Sequence, residues 1–145
     1  MINIDKNSKI QLDYANSNYC TKMCIPADAF VLNKKSPIIL MKAVKTKCEY
    51  ENEKAAHIKD GAAVTKFMYW LKTNVGKIPM TEISASDYLL ARRAEQEGFI
   101  EPSFDTISAY KANAAMMHYS ATEESNAVLK PEGMLLVDSG GQYYE

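Results

Sequence analysis

Asp138 is the first of two side chains in this sequence that could do chemistry. It directly follows an apolar run, residues 134–137, that is long enough for one buried strand, and it precedes the turn-forming residues 139–141. A carboxylate at the end of a buried strand is costly unless a positive charge neutralises it. The basic residue nearest to this end, Lys130, precedes the strand. The sequence therefore indicates that the neutralising charge comes from a metal ion, or from residues that the chain does not contain.

His118 is the second candidate, because it lies among the large apolar side chains of residues 115–119. An imidazole there could transfer a proton near neutral pH or contact a developing oxyanion. The local sequence by itself favours a core histidine that is bonded to a backbone carbonyl. Asp138 has a structural alternative too, since its carboxylate could cap the following turn by accepting backbone N–H groups. For Asp138 the local sequence leaves both interpretations open.

The remaining metal-binding residue types give weaker signals. Cys20 and Cys24 are four residues apart and would share one face of a helix, an arrangement that suits two metal ligands. The second pair of ligands that a closed zinc site needs is absent nearby, so we expect Cys20, Cys24 and Cys48 to be buried, reduced and inert. His57 lies in the middle of a predicted helix, where a solvent-facing or packing role is expected.

Composition sets wide limits on function. With 145 residues, 47% hydrophobic and 24% charged, the chain has the make-up of an ordinary soluble globular protein, and one domain is the simplest count. A net charge of -1 gives no basis for binding nucleic acid or an anionic membrane surface. The apolar stretches are too short to span a bilayer, and no signal-peptide pattern follows Met1. We therefore expect a cytoplasmic location.

The elements that must position these residues mix helices and strands, and the predicted fold class is α/β (α+β). A long helix over residues 48–73 has an apolar stripe, and its glycine, Gly61, indicates close packing against a neighbour. A second helix over residues 84–97 is predicted from a capping box of Ser84 with Asp87 and from a C-terminal Gly98. Shorter elements are strands at 9–14, 29–32, 103–110 and 134–138, and helices at 16–23 and 38–43.

Several segments also occur in the order and at the spacing of one enzyme family, over about two thirds of the chain. They are residues 36–45 (SPIILMKAVK), 56–61 (AHIKDG), 70–71 (WL), 81–87 (TEISASD), 103–108 (SFDTIS), Asn113, 118–119 (HY) and 136–143 (LVDSGGQY). Together they resemble the Xaa-Pro aminopeptidase (aminopeptidase P) family of metallopeptidases. The similarity is greatest to the long, three-domain members of that family.

The resemblance implies a catalytic domain with the pita-bread fold, which is shared with methionine aminopeptidase and creatinase. That domain holds two divalent metal ions, usually manganese, through two Asp, one His and two Glu. Asp138 matches the first of those Asp ligands. His118 matches the His of the family's His-Tyr motif, which is implicated in substrate binding and in proton handling near the metals. For both residues, the resemblance favours the functional interpretation over the structural one.

The family places its other metal ligands after this motif, the second Asp in a Gly-Thr-Thr-Asp-like segment and the rest further on. The chain ends at Glu145, before that segment. The same comparison makes residues 1–40 the C-terminal tail of a preceding creatinase-N-like domain. Residues 41–145 would then be the N-terminal half of the pita-bread domain. One departure is visible: the family usually has a Gly-containing turn before its Asn, whereas this chain reads AYKAN over residues 109–113.

The implied activity is a metalloaminopeptidase that releases an N-terminal residue preceding proline, so the substrate is a peptide with proline in its second position. Because most metal ligands are missing, we expect this fragment to bind no metal stably and to be inactive alone. The alternative is a non-catalytic assembly piece, since half a sheet exposes an unpaired edge and an apolar face. Such a chain would form a homodimer or complement a separate C-terminal half.

Overall fold

The computed structural model describes residues 7–144 and divides the chain into two compact units, with the boundary after Lys47. In the first unit, strand β1 (Lys9–Leu12) pairs in parallel with strand β2 (Phe30–Asn33). Helix α1 (Tyr19–Met23) connects the two strands, and helix α2 (Pro37–Ala43) follows them. The predicted boundary between residues 40 and 41, which was drawn from whole domains of the family, stays a prediction.

The short helices of the first unit begin where side-chain chemistry allows. The Asn18 side chain accepts the N–H of Cys20 at 2.8 Å and caps α1. Pro37 opens α2, where a missing N–H costs nothing. Cys20, Cys24 and Cys48 are free and exposed, so the prediction that these thiols are buried is wrong. Neither short helix contains a buried residue, so α1 has no buried face in which a thiol could lie.

The second unit is organised by helix α3 (Lys47–Asn74) and helix α4 (Glu82–Ala94). The predicted apolar stripe of α3 is confirmed: Ala63 and Phe67 are buried, and Trp70 stacks on Tyr88 of α4 with ring centroids 3.9 Å apart. Burial of these aromatic surfaces stabilises the unit. Gly61 was predicted to pack closely, and that prediction is wrong. A Cβ added there would meet no atom within 4 Å.

Helix α4 begins two residues earlier than the sequence predicts, and this changes its cap. The Thr81 side chain accepts the N–H of Ser84 at 3.2 Å, and the Ser84 hydroxyl accepts the N–H of Thr81 at 2.8 Å. Ser84 is therefore the third residue of the helix rather than its cap, and the predicted partner Asp87 is exposed. Gly98 has a φ of 78°, but it lies in the turn that leads out of the helical region rather than at its C-cap.

Four strands complete the second unit in two antiparallel pairs. Strand β3 (Phe99–Pro102) pairs with strand β6 (Gly141–Tyr143), and strand β4 (Ile107–Tyr110) pairs with strand β5 (Leu135–Asp138). A 3-10 helix (Lys111–Ala115) follows β4. The strands predicted near residues 103–110 and 134–138 are confirmed with shorter bounds. In each pair, one strand belongs to the last ten residues that the structure describes.

The core of the second unit lies between the two helices and the β4–β5 pair. Its buried cluster consists of Phe67, Met80, Ala85, Leu89, Tyr110 and Leu129. Leu135 and Val137 of β5 pack against this cluster, so the last strand is held by apolar contacts as well as by its ladder. Within residues 7–144, no helix is both long and apolar enough to cross a membrane.

Candidate metal and substrate site

Asp138 is the last residue of β5, where its main chain pairs with Ile107. The strand has two different faces: Leu135 and Val137 are half-buried, whereas Leu136 and Asp138 are exposed. The expectation of a fully buried strand is therefore wrong, because only one face of β5 is covered by the helices. The Asp138 carboxylate is in solvent and incurs little desolvation cost in this chain.

The alternative role for Asp138, a cap of the following turn, is not observed. No residue within 7–144 donates a hydrogen bond to its carboxylate. Both oxygens keep their lone pairs, so the group is available to a hard cation. The turn itself is closed by other contacts: Ser103 N–H donates to the Gly140 carbonyl at 3.1 Å. A Cβ on Gly140 would lie 2.9 Å from the Ser103 hydroxyl, so this close approach requires glycine.

An ion pair between a buried Arg93 and a half-buried Asp60 fixes the residue that follows Asp138. Arg93, 2% exposed, donates from Nε and Nη2 to the two Asp60 oxygens at 2.7 and 3.1 Å. Its Nη2 also donates to the Ser139 hydroxyl at 3.1 Å. Tyr143 of β6 donates its hydroxyl to Asp60 Oδ1 at 3.0 Å. Helices α3 and α4 therefore fix the chain on the C-terminal side of Asp138 through one charged network.

The network shifts the pKa of two of its members. Burial acts to raise the pKa of Asp60, but hydrogen bonds and charge from the Arg93 guanidinium hold it below its ordinary value. Burial together with the hydrogen bond to the Asp60 carboxylate raises the pKa of Tyr143 to about 12. Asp60 is therefore ionised and Tyr143 neutral at neutral pH, as their hydrogen bond requires.

His118 is exposed and has a φ of 54°, a left-handed conformation that is uncommon for residues other than glycine. Its neighbours point in different directions, since Met117 is 89% exposed and Tyr119 only 6%. Its ring makes no hydrogen bond with any residue in the described part of the chain. The alternative of a core histidine bonded to a carbonyl is therefore wrong, and the ring is open to solvent.

Sequence reasoning missed Glu82, a fully buried carboxylate at the start of α4. It accepts hydrogen bonds from Tyr110 N–H at 2.5 Å, Ala127 N–H at 3.0 Å, the Tyr119 hydroxyl at 2.7 Å and Asn113 Nδ2 at 3.1 Å. Burial acts to raise the pKa of Glu82. The hydrogen bonds from the Ala127 and Tyr110 amides and from the two side chains lower it by more, so the pKa lies below its ordinary value. In the sequence, Glu82 resembles an ordinary acidic residue in the first turn of a helix, and nothing local indicates its burial.

The turn that lacks the family's glycine keeps a glycine-like conformation. Lys111 has a φ of 50°, and its ammonium pairs with the Glu132 carboxylate at 2.6 Å. The Tyr110 hydroxyl donates to the Glu132 carbonyl at 2.5 Å, so two bonds fix the turn against the same residue. The departure in sequence therefore costs backbone strain at Lys111 without removing the turn.

The two predicted site residues are not bonded to each other. Within residues 7–144, no hydrogen bond or ion pair joins His118 to Asp138. No group of three or more His, Cys, Asp and Glu side chains in that part of the chain could hold a metal ion. What the structure does show is that each residue lies exposed beside a buried carboxylate network, Glu82 for His118 and Asp60 for Asp138.

Comparison with known proteins identifies the family. The model of metallopeptidase family M24 matches residues 51–145. The chain belongs to this family, and its mixed α/β second unit is part of the pita-bread domain that defines it. Within M24 it is a member of the Xaa-Pro aminopeptidase family. Xaa-Pro aminopeptidase 2 of Mus musculus is 39% identical over 94% of this chain, and that of Homo sapiens is 41% identical over 83%.

Solved structures agree with this assignment. The X-prolyl aminopeptidase of Caenorhabditis elegans, described as a cytosolic enzyme with a di-nuclear active site, matches 93% of this chain with a TM-score of 0.80 and 28% identity. An Xaa-Pro dipeptidase of Bacillus anthracis shares the fold, with a TM-score of 0.64 and 22% identity. The chain spans about a fifth of the length of the curated relatives, 20% of the mouse protein, and 22% of the C. elegans chain.

Proposed function

We propose that this chain contributes Asp138 and His118 to the active site of a dinuclear Xaa-Pro aminopeptidase, which releases an N-terminal residue preceding proline. The observation that supports it most directly is the exposed, unbonded carboxylate of Asp138 at the end of β5 in a member of this family. The C. elegans relative, whose active site is described as di-nuclear, matches 93% of the chain.

The chemistry of Asp138 fits a metal ion. Carboxylate oxygen is a ligand that hard divalent ions such as manganese accept, and no protein donor competes for it within residues 7–144. Two bound divalent ions would supply Lewis-acid activation of the scissile carbonyl and of the attacking water. Asp138 would be one ligand among several, and one carboxylate alone holds neither ion well. We therefore propose that the 145-residue chain by itself has no peptidase activity.

His118 would contact the substrate or hold a proton beside the reacting carbonyl. Its exposed ring and its lack of a structural partner leave both ring nitrogens available for that role. The remaining parts of the proposal follow the family. Residues 1–40 would be the tail of a preceding domain, and residues 41–145 the first half of the catalytic one. Since the C. elegans relative is described as cytosolic, we place the enzyme in the cytoplasm.

A second candidate function is assembly without catalysis. Among residues 7–144, strand β5 pairs with β4 on one side only, and Leu136 of β5 is 43% exposed. An unpaired edge with an apolar face can add a strand from a second copy or from a separate C-terminal half. Light scattering over a range of concentrations tests this: the mass should rise with concentration, and L136K should lower it. A monomer at every concentration counts against assembly.

The peptidase proposal is tested in a chimera, in which this chain replaces the matching segment of the C. elegans enzyme. We expect the chimera to bind manganese and to cleave a peptide with proline in second position, whereas the free chain does not. D138N should lose both metal and turnover. H118A should keep the metal and lose turnover by roughly 10²–10⁴-fold, the usual contribution of a positioned acid or base.

The matched control is D105N, which neutralises another exposed aspartate outside the proposed site. It should bind metal and turn over as the parent chimera does. If D138N retained the metal content and rate of the parent, the proposed role of Asp138 would be wrong. If H118A retained the full rate, His118 would have no part in the reaction.

A further inference from the structure

Glu82 joins the two ends of the segment that contains His118. Its Oε1 accepts the N–H of Tyr110 at 2.5 Å, and its Oε2 accepts the N–H of Ala127 at 3.0 Å. These two amides, of which Tyr110 ends β4, bracket residues 111–126, a stretch whose only regular structure is the 3-10 helix. One fully buried carboxylate therefore closes this segment into a loop. We call residues 111–126 the His118 loop.

The same carboxylate holds the middle of the loop. The Tyr119 hydroxyl donates to Glu82 Oε2 at 2.7 Å, and Asn113 Nδ2 lies 3.1 Å from both oxygens. Asn113 Nδ2 also donates to the Ser125 carbonyl at 3.2 Å, and the Tyr119 hydroxyl lies 3.2 Å from the same oxygen. Tyr119 is the residue directly after His118, and it is 6% exposed. The network therefore pins the main chain next to the imidazole.

The conformation of His118 needs such an anchor. A left-handed φ is unfavourable in a residue other than glycine, and it persists only where the surroundings hold it. His118 has a φ of 54° and no hydrogen bond of its own ring within residues 7–144. The residues next to His118 must therefore hold its conformation, and of these two neighbours Tyr119 is the buried one.

We propose that Glu82 is a positioning residue, which fixes the His118 loop through Tyr119 and Asn113 and so aims the His118 ring out of the fold. This rests on the proposed function, in which His118 acts on the substrate. Glu82 does not itself reach solvent or substrate, because it is fully buried and its oxygens are taken by four donors. It acts through the backbone of the loop.

The experiment uses the chain's two histidines as reporters and two tyrosines as matched changes. Tyr119 and Tyr143 each donate a phenol hydroxyl to a carboxylate, Glu82 and Asp60 respectively. His57 lies one turn before Asp60 in α3, and both residues line one pocket together with Tyr143. Y119F and Y143F therefore remove the same atom from two separate networks. Each network has one histidine beside it.

In NMR spectra of the full chain, we expect Y119F and E82Q to shift the ring signals of His118 and to speed amide exchange in the His118 loop. The His57 signals should stay in place in both variants. Y143F should do the opposite, shifting His57 and leaving His118 unchanged. Y119F removes only one oxygen, so it keeps the test valid if E82Q fails to fold.

Three results would overturn the proposal. His118 signals that stay unchanged in folded Y119F would show that the loop holds without the network. Equal shifts of the His118 and His57 signals in both Y119F and Y143F would show that each substitution loosens the whole fold rather than one network. Random-coil signals from His118 in the unchanged chain would show that the loop is not held at all. Because these readouts need no turnover, they fail independently of the peptidase proposal, which H118A in the chimera tests without altering Glu82.

Discussion

Arg93 of α4 donates two hydrogen bonds, of 2.7 and 3.1 Å, to the carboxylate of Asp60 in α3, and the same guanidinium donates to the Ser139 hydroxyl. Arg93 is 2% exposed, so its charge is neutralised inside the protein rather than by water. The pair therefore does two things: it joins the long helices, and it fixes the residue after Asp138. A substitution here should affect both stability and the turn that follows β5.

The first prediction concerns this pair. D60N leaves Arg93 buried without its counter-charge, and breaking a buried pair in this way costs about 3–5 kcal/mol. Asp60 keeps some exposure, so we expect the lower end of that range in urea unfolding. The double variant D60N/R93M should recover part of the loss, because it removes the stranded charge.

The control is E95Q, since Glu95 pairs with Lys66 and Arg92 at the surface, where such contacts contribute at most about 1 kcal/mol. Equal losses in D60N and E95Q would contradict the interpretation.

The second prediction concerns alkaline pH and Tyr143. Its pKa is about 12 in the folded chain against an ordinary 10.0, so the folded state keeps the phenol proton that the unfolded state has already lost. The stabilisation from Tyr143 is therefore fully present below pH 10 and disappears as pH rises through 12. We expect the difference in free energy of unfolding between the wild type and Y143F to be constant near neutral pH and to shrink over that interval.

Ultraviolet titration of tyrosinate gives an independent check on the same group. The chain has 9 tyrosines, and Y143F should remove a component that ionises late, near pH 12. If the titration curves of the wild type and Y143F differed instead near pH 10, Tyr143 would have an ordinary environment. The hydrogen bond to Asp60 would then contribute nothing to the pKa of Tyr143.

The sequence predicted α3, α4, β4 and β5 because their signals are local, whereas β3 and β6 were not predicted. The stripe of Ala63, Phe67 and Trp70 repeats at helical spacing, and the apolar run before Asp138 has the length of a strand. Ser84 was misassigned because Thr81 and Ser84 are both good cap residues, and only the observed start of α4 at Glu82 decides between them.

The two carboxylate networks could not have been predicted in the same way. Glu82 bonds to Tyr119 and Ala127, and Asp60 bonds to Arg93 and Tyr143, over separations that no helical or strand period connects. Their burial is a property of the packed chain, not of the neighbouring residues. Asp138 and His118 were selected by residue type and by family resemblance, but their exposure in this chain was not foreseen.

The third prediction tests the corrected cap of α4. T81A removes the hydroxyl that accepts the Ser84 N–H, and loss of such a cap costs about 1 kcal/mol. The control is D87A, because Asp87 is exposed and takes no part in the observed cap. Thermal or urea unfolding should therefore show a clear loss for T81A and a change within about 0.5 kcal/mol for D87A. The reverse order would restore the capping box predicted from the sequence.

The fourth prediction follows from the open space at Gly61. A Cβ there would touch nothing within 4 Å, and the residue lies inside α3, where glycine is less favourable than alanine by about 1 kcal/mol. G61A should therefore raise the free energy of unfolding by up to about that amount. G76A is the matched control with the opposite expected sign. Gly76 has a φ of 79°, and a Cβ would lie 2.9 Å from the Pro131 ring, so alanine there should destabilise the fold. A loss of stability in G61A would mean that the helix packs at this position against something that residues 7–144 do not supply.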